Sequence, residues 1–223
     1  MRLLVTKILS QDFRDRLLMH QFSLVEQAFI KISLIENPKI DQLFDRLIFT
    51  SRNAVNAVLF SPKILKMMEG KTAYCVGKKT AALLVENGQK VAKIAQNSEE
   101  LAYFLTKNHQ NESFSYFCGK LRTPDLEEIL PAQGMGIQPI EVYATHLQDY
   151  TVKGHFDGIL FFSPSGVRGY AQSNGFENTH CFCLGNSTAK EVALHTSQYT
   201  VAKEPSESQL LLSLKNHITL HEE

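Results

Sequence analysis

Short unbroken apolar runs alternate along this chain with stretches whose apolar residues recur at helical spacing. Residues 3–7 predict a strand, and residues 12–22 a helix with Leu17, Leu18 and Phe22 on its apolar side. Residues 47–50 predict a buried strand. Residues 53–60 start a helix that Ser61-Pro62 interrupts, because proline cannot donate to the helical ladder. A strand at 72–76, a helix at 80–87 closed by Gly88 and a helix at 98–107 follow. Short apolar strands between helices point to parallel sheets covered on both faces, an α/β fold.

The pattern is written twice. Phe44-Asp45-Arg46-Leu47-Ile48-Phe49-Thr50-Ser51 matches Phe156-Asp157-Gly158-Ile159-Leu160-Phe161-Phe162-Ser163. Cys75-Val76-Gly77-Lys78-Lys79-Thr80-Ala81 matches Cys183-Leu184-Gly185-Asn186-Ser187-Thr188-Ala189. Ser98-Glu99-Glu100-Leu101 is echoed by Ser206-Glu207-Ser208-Gln209-Leu210. The strand ending at Lys7 with Asp12 beyond it is echoed by the strand ending at Lys120 with Asp125 beyond it. Four blocks recurring in one order make the chain a duplication, with two similar domains. Two extended segments, 28–34 and 139–146, occupy matching places. They fit either linkers paired as a two-stranded ribbon or ordinary strands within each domain.

Composition narrows the function. In 223 residues, 23 Lys and Arg balance 23 Asp and Glu, so no global field selects nucleic acid or an acidic membrane, and local donors must hold any anion. No run approaches the ~18 apolar residues of a membrane span. The N-terminal apolar run, broken by Lys7, is too short for a signal peptide, which predicts a cytoplasmic protein. Cys75, Cys118, Cys181 and Cys183 lie inside strand-like runs without CxxC spacing and predict buried thiols, and the eight histidines form no metal pattern.

At the carboxyl ends of the strands stand small hydroxyl residues: Thr50-Ser51-Arg52-Asn53, Gly77-Lys78-Lys79-Thr80, Ser163-Pro164-Ser165-Gly166 and Gly185-Asn186-Ser187-Thr188. Open parallel sheets bind ligands there, and hydroxyls with free N–H groups seat carboxylates or phosphates. Such residues also serve as plain helix caps. Two domains carrying the same loops predict two anion-binding rims facing one cleft, a receptor for something large and multiply anionic. No GxSxG, P-loop, GxGxxG or matched carboxylate pair is present, so the candidate reaction needs positioning and a proton donor, without cofactor or metal. Tyr143 stands out because its counterpart in the first copy is Ile30 or Lys31. A single site between two domains needs one such group, whereas packing alone also accounts for a lone tyrosine.

Phe49-Thr50-Ser51, Val76-Gly77-x-x-Thr80-Ala81, Val142-Tyr143, Phe162-Ser163-Pro164-Ser165-Gly166-Val167 and Leu184-Gly185-x-x-Thr188-Ala189 together resemble the uroporphyrinogen-III synthase family. The opening Leu3-Leu4-Val5-Thr6-Lys7 and the late Ala202…Pro205-Ser206…Leu210 extend the resemblance over nearly the whole chain. It implies two α/β domains, each a parallel sheet flanked by helices, joined by a two-stranded antiparallel ladder. Residues 1–27 would pack with 148–223, residues 36–138 would form the other domain, and 28–35 with 139–147 the ladder. The implied reaction takes hydroxymethylbilane, removes water and inverts the last pyrrole ring through a spirocyclic intermediate. Tyr143 would assist departure of the hydroxyl. Thr80, Thr188, Ser51, Ser163 and Ser165 would hold substrate carboxylates, with Lys7 beside them. No cofactor or metal is implied, and the expected state is a monomer without nucleic-acid or membrane partner.

The chain departs from the family in places. Lys7 stands where members often carry Arg, which loses bidentate geometry. Arg52 follows Ser51 where many relatives have a small residue or Pro, and the first copy lacks the counterpart of Pro164. Two other classes fit a two-domain cleft: a non-catalytic two-lobed ligand-binding protein, and an amino-acid racemase using a cysteine from each domain. Cys75 and Cys183 hold equivalent positions, but inside strands, where burial would leave them inert.

Overall fold

The computed structural model describes residues 1–177 and 179–219. In chain order the elements begin β1 (Arg2–Val5), α1 (Gln11–Met19), β2 (Ser23–Glu26), β3 (Ile30–Leu34), β4 (Arg46–Phe49), α2 (Arg52–Leu59) and α3 (Pro62–Met68). They continue with β5 (Thr72–Val76), α4 (Lys78–Glu86), β6 (Lys90–Ala95), α5 (Ser98–Asn108), β7 (Ser113–Gly119), α6 (Asp125–Ala132) and β8 (Gly136–Leu147). The series closes with β9 (Gly158–Phe161), α7 (Pro164–Ala171), β10 (His180–Cys183), α8 (Asn186–Val192), β11 (Tyr199–Val201) and α9 (Glu207–Thr219). No helix among the described residues is long and apolar enough to cross a membrane.

The chain forms two compact units, Met1–Lys31 with His146–Glu223, and Ile32–Thr145. The first holds a five-stranded sheet in the order β11-β10-β9-β1-β2, and every strand pair in it is parallel. The other sheet runs β3-β8-β7-β4-β5-β6 and is parallel from β8 to β6. Reversed, its parallel part reads β6-β5-β4-β7-β8. The repeated blocks β9 and β4, β10 and β5, and β1 and β7 therefore hold equivalent places. The opening strand β1 lies beside β9, with Leu4 opposite Ile159, so it completes the unit built by the second copy.

The division between the units falls within β3 and β8. These strands are hydrogen-bonded neighbours. The Ile35 N–H donates to the Val142 carbonyl at 3.0 Å and the Gln148 N–H to that of Phe29 at 2.8 Å, a numbering that runs antiparallel. The extended segments 28–34 and 139–146 thus lie side by side.

Each sheet is covered on both faces, which is why its central strands read as continuous apolar runs. In the second unit, Leu47, Phe49, Ala73, Cys75 and Phe117 pack under α2, α3 and α4. Ile48, Tyr74, Phe114, Tyr116 and Cys118 face α5 and α6. In the first unit, Leu3, Val5, Leu160 and Phe182 lie against α1 and α9, while Leu4, Ile159, Phe161 and Cys183 lie against α7 and α8.

Two details differ from the sequence expectation. The first helix ends at Met19, and Gln21 adopts a positive φ of 60° so that the Phe22 N–H reaches back to the Leu17 carbonyl. Its buried face is Phe13 and Leu17; Leu18 is 49% exposed. Helix α5 is capped by Asn97, one residue before Ser98: Asn97 accepts from the Glu100 N–H, and Glu100 accepts from the Gln96 N–H.

Candidate active site

In the second unit, the carboxyl ends of β4, β7 and β5 lie on one edge of the sheet, and the chain passes from each into a turn carrying polar groups. After β4, Ser51 caps α2 by accepting from the Asn53 N–H at 3.0 Å. Thr50, just before it, shares a 3.0 Å hydrogen bond with the phenol of Tyr116 on β7. Ser51 also lies close enough to Tyr143 to draw its pKa down. Two adjacent hydroxyl residues thus stand beside two phenols, one from each side of the sheet.

Tyr143 lies on β8 and is 8% exposed. Strand β7 slips register against β8 between Cys118 and Gly119, which places Gly119 opposite Tyr143. The tyrosine ring fills the space where a side chain at 119 would stand, at 2.6 Å from an added Cβ. The Lys120 N–H donates to the Tyr143 carbonyl at 3.1 Å. Burial raises the Tyr143 pKa above its ordinary value, with Ser51 pulling less strongly the other way. The phenol is therefore a neutral donor. Tyr116 is shifted up by burial as well.

Arg122 braces this corner. Its guanidinium forms two bonds to Glu127, at 2.6 and 2.9 Å, and its Nη1 reaches both the Gly119 carbonyl and Glu141 at 3.0 Å. It thereby ties the end of β7 to the strand that carries Tyr143. Sequence reasoning missed Arg122, Tyr116 and Gly119. A glycine ending an apolar strand, followed three residues later by Arg and then by paired acids, was the only signal for the group.

At the end of β5, Gly77 has φ 83°, a backbone region that favours glycine, and leads into α4. Thr80 is the third residue of that helix and is 5% exposed. Its N–H bonds the Gly77 carbonyl at 3.1 Å.

In the first unit, Ser163 follows β9 and caps α7, accepting from the Gly166 N–H at 3.1 Å and sharing a 3.1 Å bond with Ser165. Thr188 is the third residue of α8, 3% exposed. Lys7, past the end of β1, pairs with Glu207 at 3.1 Å and lies 4.1 Å from the centre of the Phe162 ring. Its charge already has a carboxylate partner in the protein. The structure gathers Ser51 and Tyr143 in the second unit and Ser163 and Ser165 in the first. Thr80 and Thr188 stand at matching helix starts.

All four cysteines are free and buried. Burial pushes the Cys75 thiol up to about 11 and those of Cys118, Cys181 and Cys183 up to about 12. Thiols in that range are poor nucleophiles at neutral pH. Among the described residues no three His, Cys, Asp or Glu side chains gather as a metal-ligand group.

The model of a family described as uroporphyrinogen-III synthase HemD matches residues 13–211. A search of curated proteins found no match. Among solved structures, the uroporphyrinogen-III synthetase of Helicobacter pylori is 25% identical over 96% of this chain and 99% of its own, with a TM-score of 0.70. A mutant uroporphyrinogen III synthase of Thermus thermophilus shares the fold at 14% identity, covering 98% of each chain with a TM-score of 0.67. The chain belongs to the uroporphyrinogen-III synthase family, the cyclising lyases of heme biosynthesis.

Proposed function

We propose that Tyr143 is the group that assists ionisation of the substrate in this chain, and that the strand-end hydroxyls hold the substrate's carboxylates. The enzyme cyclises hydroxymethylbilane with loss of water and inversion of the last pyrrole ring, giving uroporphyrinogen III. The carbon–oxygen bond of the hydroxymethyl group breaks as the pyrrole nitrogen donates electrons into the ring, and oxygen departs as water. A neutral phenol beside that oxygen donates a hydrogen bond or proton as negative charge develops there. The electrophilic carbon is then attacked by the substituted carbon of the last ring, and the spirocyclic product opens and recloses with that ring inverted.

The supporting observation is the environment of Tyr143: a buried phenol of raised pKa, close to Ser51 and packed on Gly119. Ser51, Thr80, Ser163, Ser165 and Thr188 act as neutral donors to carboxylates, together with N–H groups of the helix starts. Lys7 contributes through its position beside Phe162, with its charge shared with Glu207.

The same reading takes residues 1–27 with 148–223 as one domain, 36–138 as the other, and 28–35 with 139–147 as the ladder between them. The protein works as a cytoplasmic monomer with no nucleic-acid or membrane partner. The balance of 23 basic against 23 acidic residues supports that part of the reading.

The test is the product. Hydroxymethylbilane closes unaided to the symmetric type I isomer, so acceleration alone identifies nothing. Wild-type protein is expected to give predominantly type III without added cofactor or metal. Tyr143→Phe is expected to slow type III formation by roughly one to four decades, with residual product drifting toward type I. A fully active Tyr143→Phe removes the tyrosine from the mechanism.

A further inference from the structure

Strands β7, β4 and β5 are consecutive neighbours in the second unit's sheet and run parallel, so their carboxyl ends share one edge. A cation follows each end: Lys120 directly after β7, Arg52 as the first residue of α2 after β4, and Lys78 as the first residue of α4 after β5. All three side chains are exposed, and none forms an ion pair among the described residues. The nearby Glu127 and Glu141 are bound by Arg122. Lys120 adjoins the proposed catalytic group, since its N–H is bonded to the Tyr143 carbonyl.

Two of these placements work against the helices they begin. The N-terminus of a helix carries partial positive charge, so a cation in the first turn is electrostatically unfavourable. Neither α2 nor α4 has an acidic residue in its first turn to offset it. The duplication supplies an internal comparison. Where the second unit has Arg52, Lys78 and Lys79, the first unit has Pro164 or Ser165, Asn186 and Ser187. Where it has Lys120, the first has Lys7, whose charge is paired with Glu207. The copies share strand order, so folding alone does not call for cations at the starts of α2 and α4 where α7 and α8 begin with neutral residues.

We propose that Arg52, Lys78 and Lys120 form a cationic carboxylate-capturing edge specific to the second unit, which sets affinity for a polycarboxylate tetrapyrrole. At the corresponding places of the first unit stand neutral residues and Lys7, whose charge is already shared with Glu207. This assignment rests on the reading of the substrate as an octacarboxylate. Exposed charges act over the Debye length, about 30 Å at 0.01 M salt and about 8 Å at 0.15 M. They also raise the encounter rate of an anionic ligand. The edge therefore contributes salt-dependent binding, and losing it falls mainly on KM.

The experiment compares two triple variants that remove equal charge from the same unit. One carries Arg52→Gln, Lys78→Gln and Lys120→Gln. The other carries Lys66→Gln, Lys90→Gln and Lys107→Gln, at positions leading into or opening β5, β6 and β7 at the opposite edge. Turnover is measured in low and physiological salt, together with equilibrium binding of uroporphyrin III, the stable oxidised form of the product. For the first variant, KM and the uroporphyrin dissociation constant at low salt are expected to rise between roughly threefold and a hundredfold, compounding the range for three exposed ion pairs. Their salt dependence should flatten, while the melting temperature holds or rises as the helix starts lose an unfavourable charge. The second variant should match wild type. Equal behaviour of the two variants overturns the assignment. Wild-type protein that yields only the type I isomer, yet loses uroporphyrin binding in the first variant alone, retains the cationic edge and refutes the proposed function instead.

Discussion

The ring of Tyr143 rests on Gly119: a methyl group at position 119 would stand 2.6 Å from both Cε2 and Cζ and 3.0 Å from the phenol oxygen. The glycine is required by this approach. It sits just past the register slip between β7 and β8, and its carbonyl is held by Arg122 at 3.0 Å.

Gly119→Ala is therefore expected to displace the ring from Ser51 while leaving the phenol in the molecule. Overpacking of this kind destabilises by about 1–3 kcal/mol, small enough for the unit to fold. The rate of type III formation should approach that of Tyr143→Phe, and the double variant should be little worse than either single one, as for groups acting as one unit. Independent, multiplying losses would show that Gly119 acts elsewhere.

The direction of the Tyr143 shift sets a pH prediction. Burial disfavours the phenolate and raises the pKa above its ordinary 10, with Ser51 opposing in part. The group keeps its proton below that value, and its contribution is lost only as pH rises past it. The ratio of wild-type to Tyr143→Phe rates should stay flat between about pH 6 and about pH 9. A ratio that collapses near pH 8 would mean a phenol of lowered pKa, contrary to the burial argument.

Much of this arrangement was legible because it is local or repeated. The apolar runs at 47–50 and 72–76 announce strands covered on both faces, and the matched blocks place β4 with β9 and β5 with β10. Edge strands were harder. Lys90–Ala95 and Tyr199–Val201 each have one neighbour in their sheets and present mixed polar and apolar residues, so they carry no continuous apolar run. Which sheet receives β1 is a non-local choice: Leu3, Leu4 and Val5 fit any doubly covered position, and only the family resemblance placed them beside β9. Tyr143 was visible through the asymmetry between the copies. Its supports were not, because Gly119 and Arg122 matter through a register slip and a carbonyl contact that no spacing rule encodes.

Cys75 and Cys183 supply a clean exclusion. They hold equivalent strand positions, are fully buried, and have thiols pushed up to about 11 and about 12. Iodoacetamide near neutral pH should leave all four cysteines of the native protein unmodified by mass spectrometry, with turnover intact, and label all four after denaturation. Labelling of Cys75 and Cys183 in parallel with loss of activity would point to thiol chemistry instead.

Thr80 and Thr188 pose the sharpest question about cap against contact, since both occupy the third position of their helices and are only 5% and 3% exposed. A buried threonine has two parts that can be removed separately. Thr→Ser keeps the hydroxyl and deletes a packed methyl, which costs about 0.5–1.5 kcal/mol of stability, as for other single-methyl deletions. Thr→Val keeps the volume and deletes the hydroxyl. If the hydroxyl donates to a substrate carboxylate, its loss removes a hydrogen bond to a charged group, worth about 1.5–3 kcal/mol, or roughly ten- to a hundredfold in kcat/KM. Thr80→Val and Thr188→Val should thus lose activity at nearly unchanged melting temperature, and the serine variants should lose melting temperature at nearly unchanged activity. A packing or capping role reverses the first result: the valine variants would then turn over like wild type, and any loss would appear in the thermal melt alone. Because the two positions are copies of one motif in separate units, each must be tested by itself. A hydroxyl effect at Thr80 without one at Thr188 would mean that only one of the duplicated helix starts contacts substrate through its threonine.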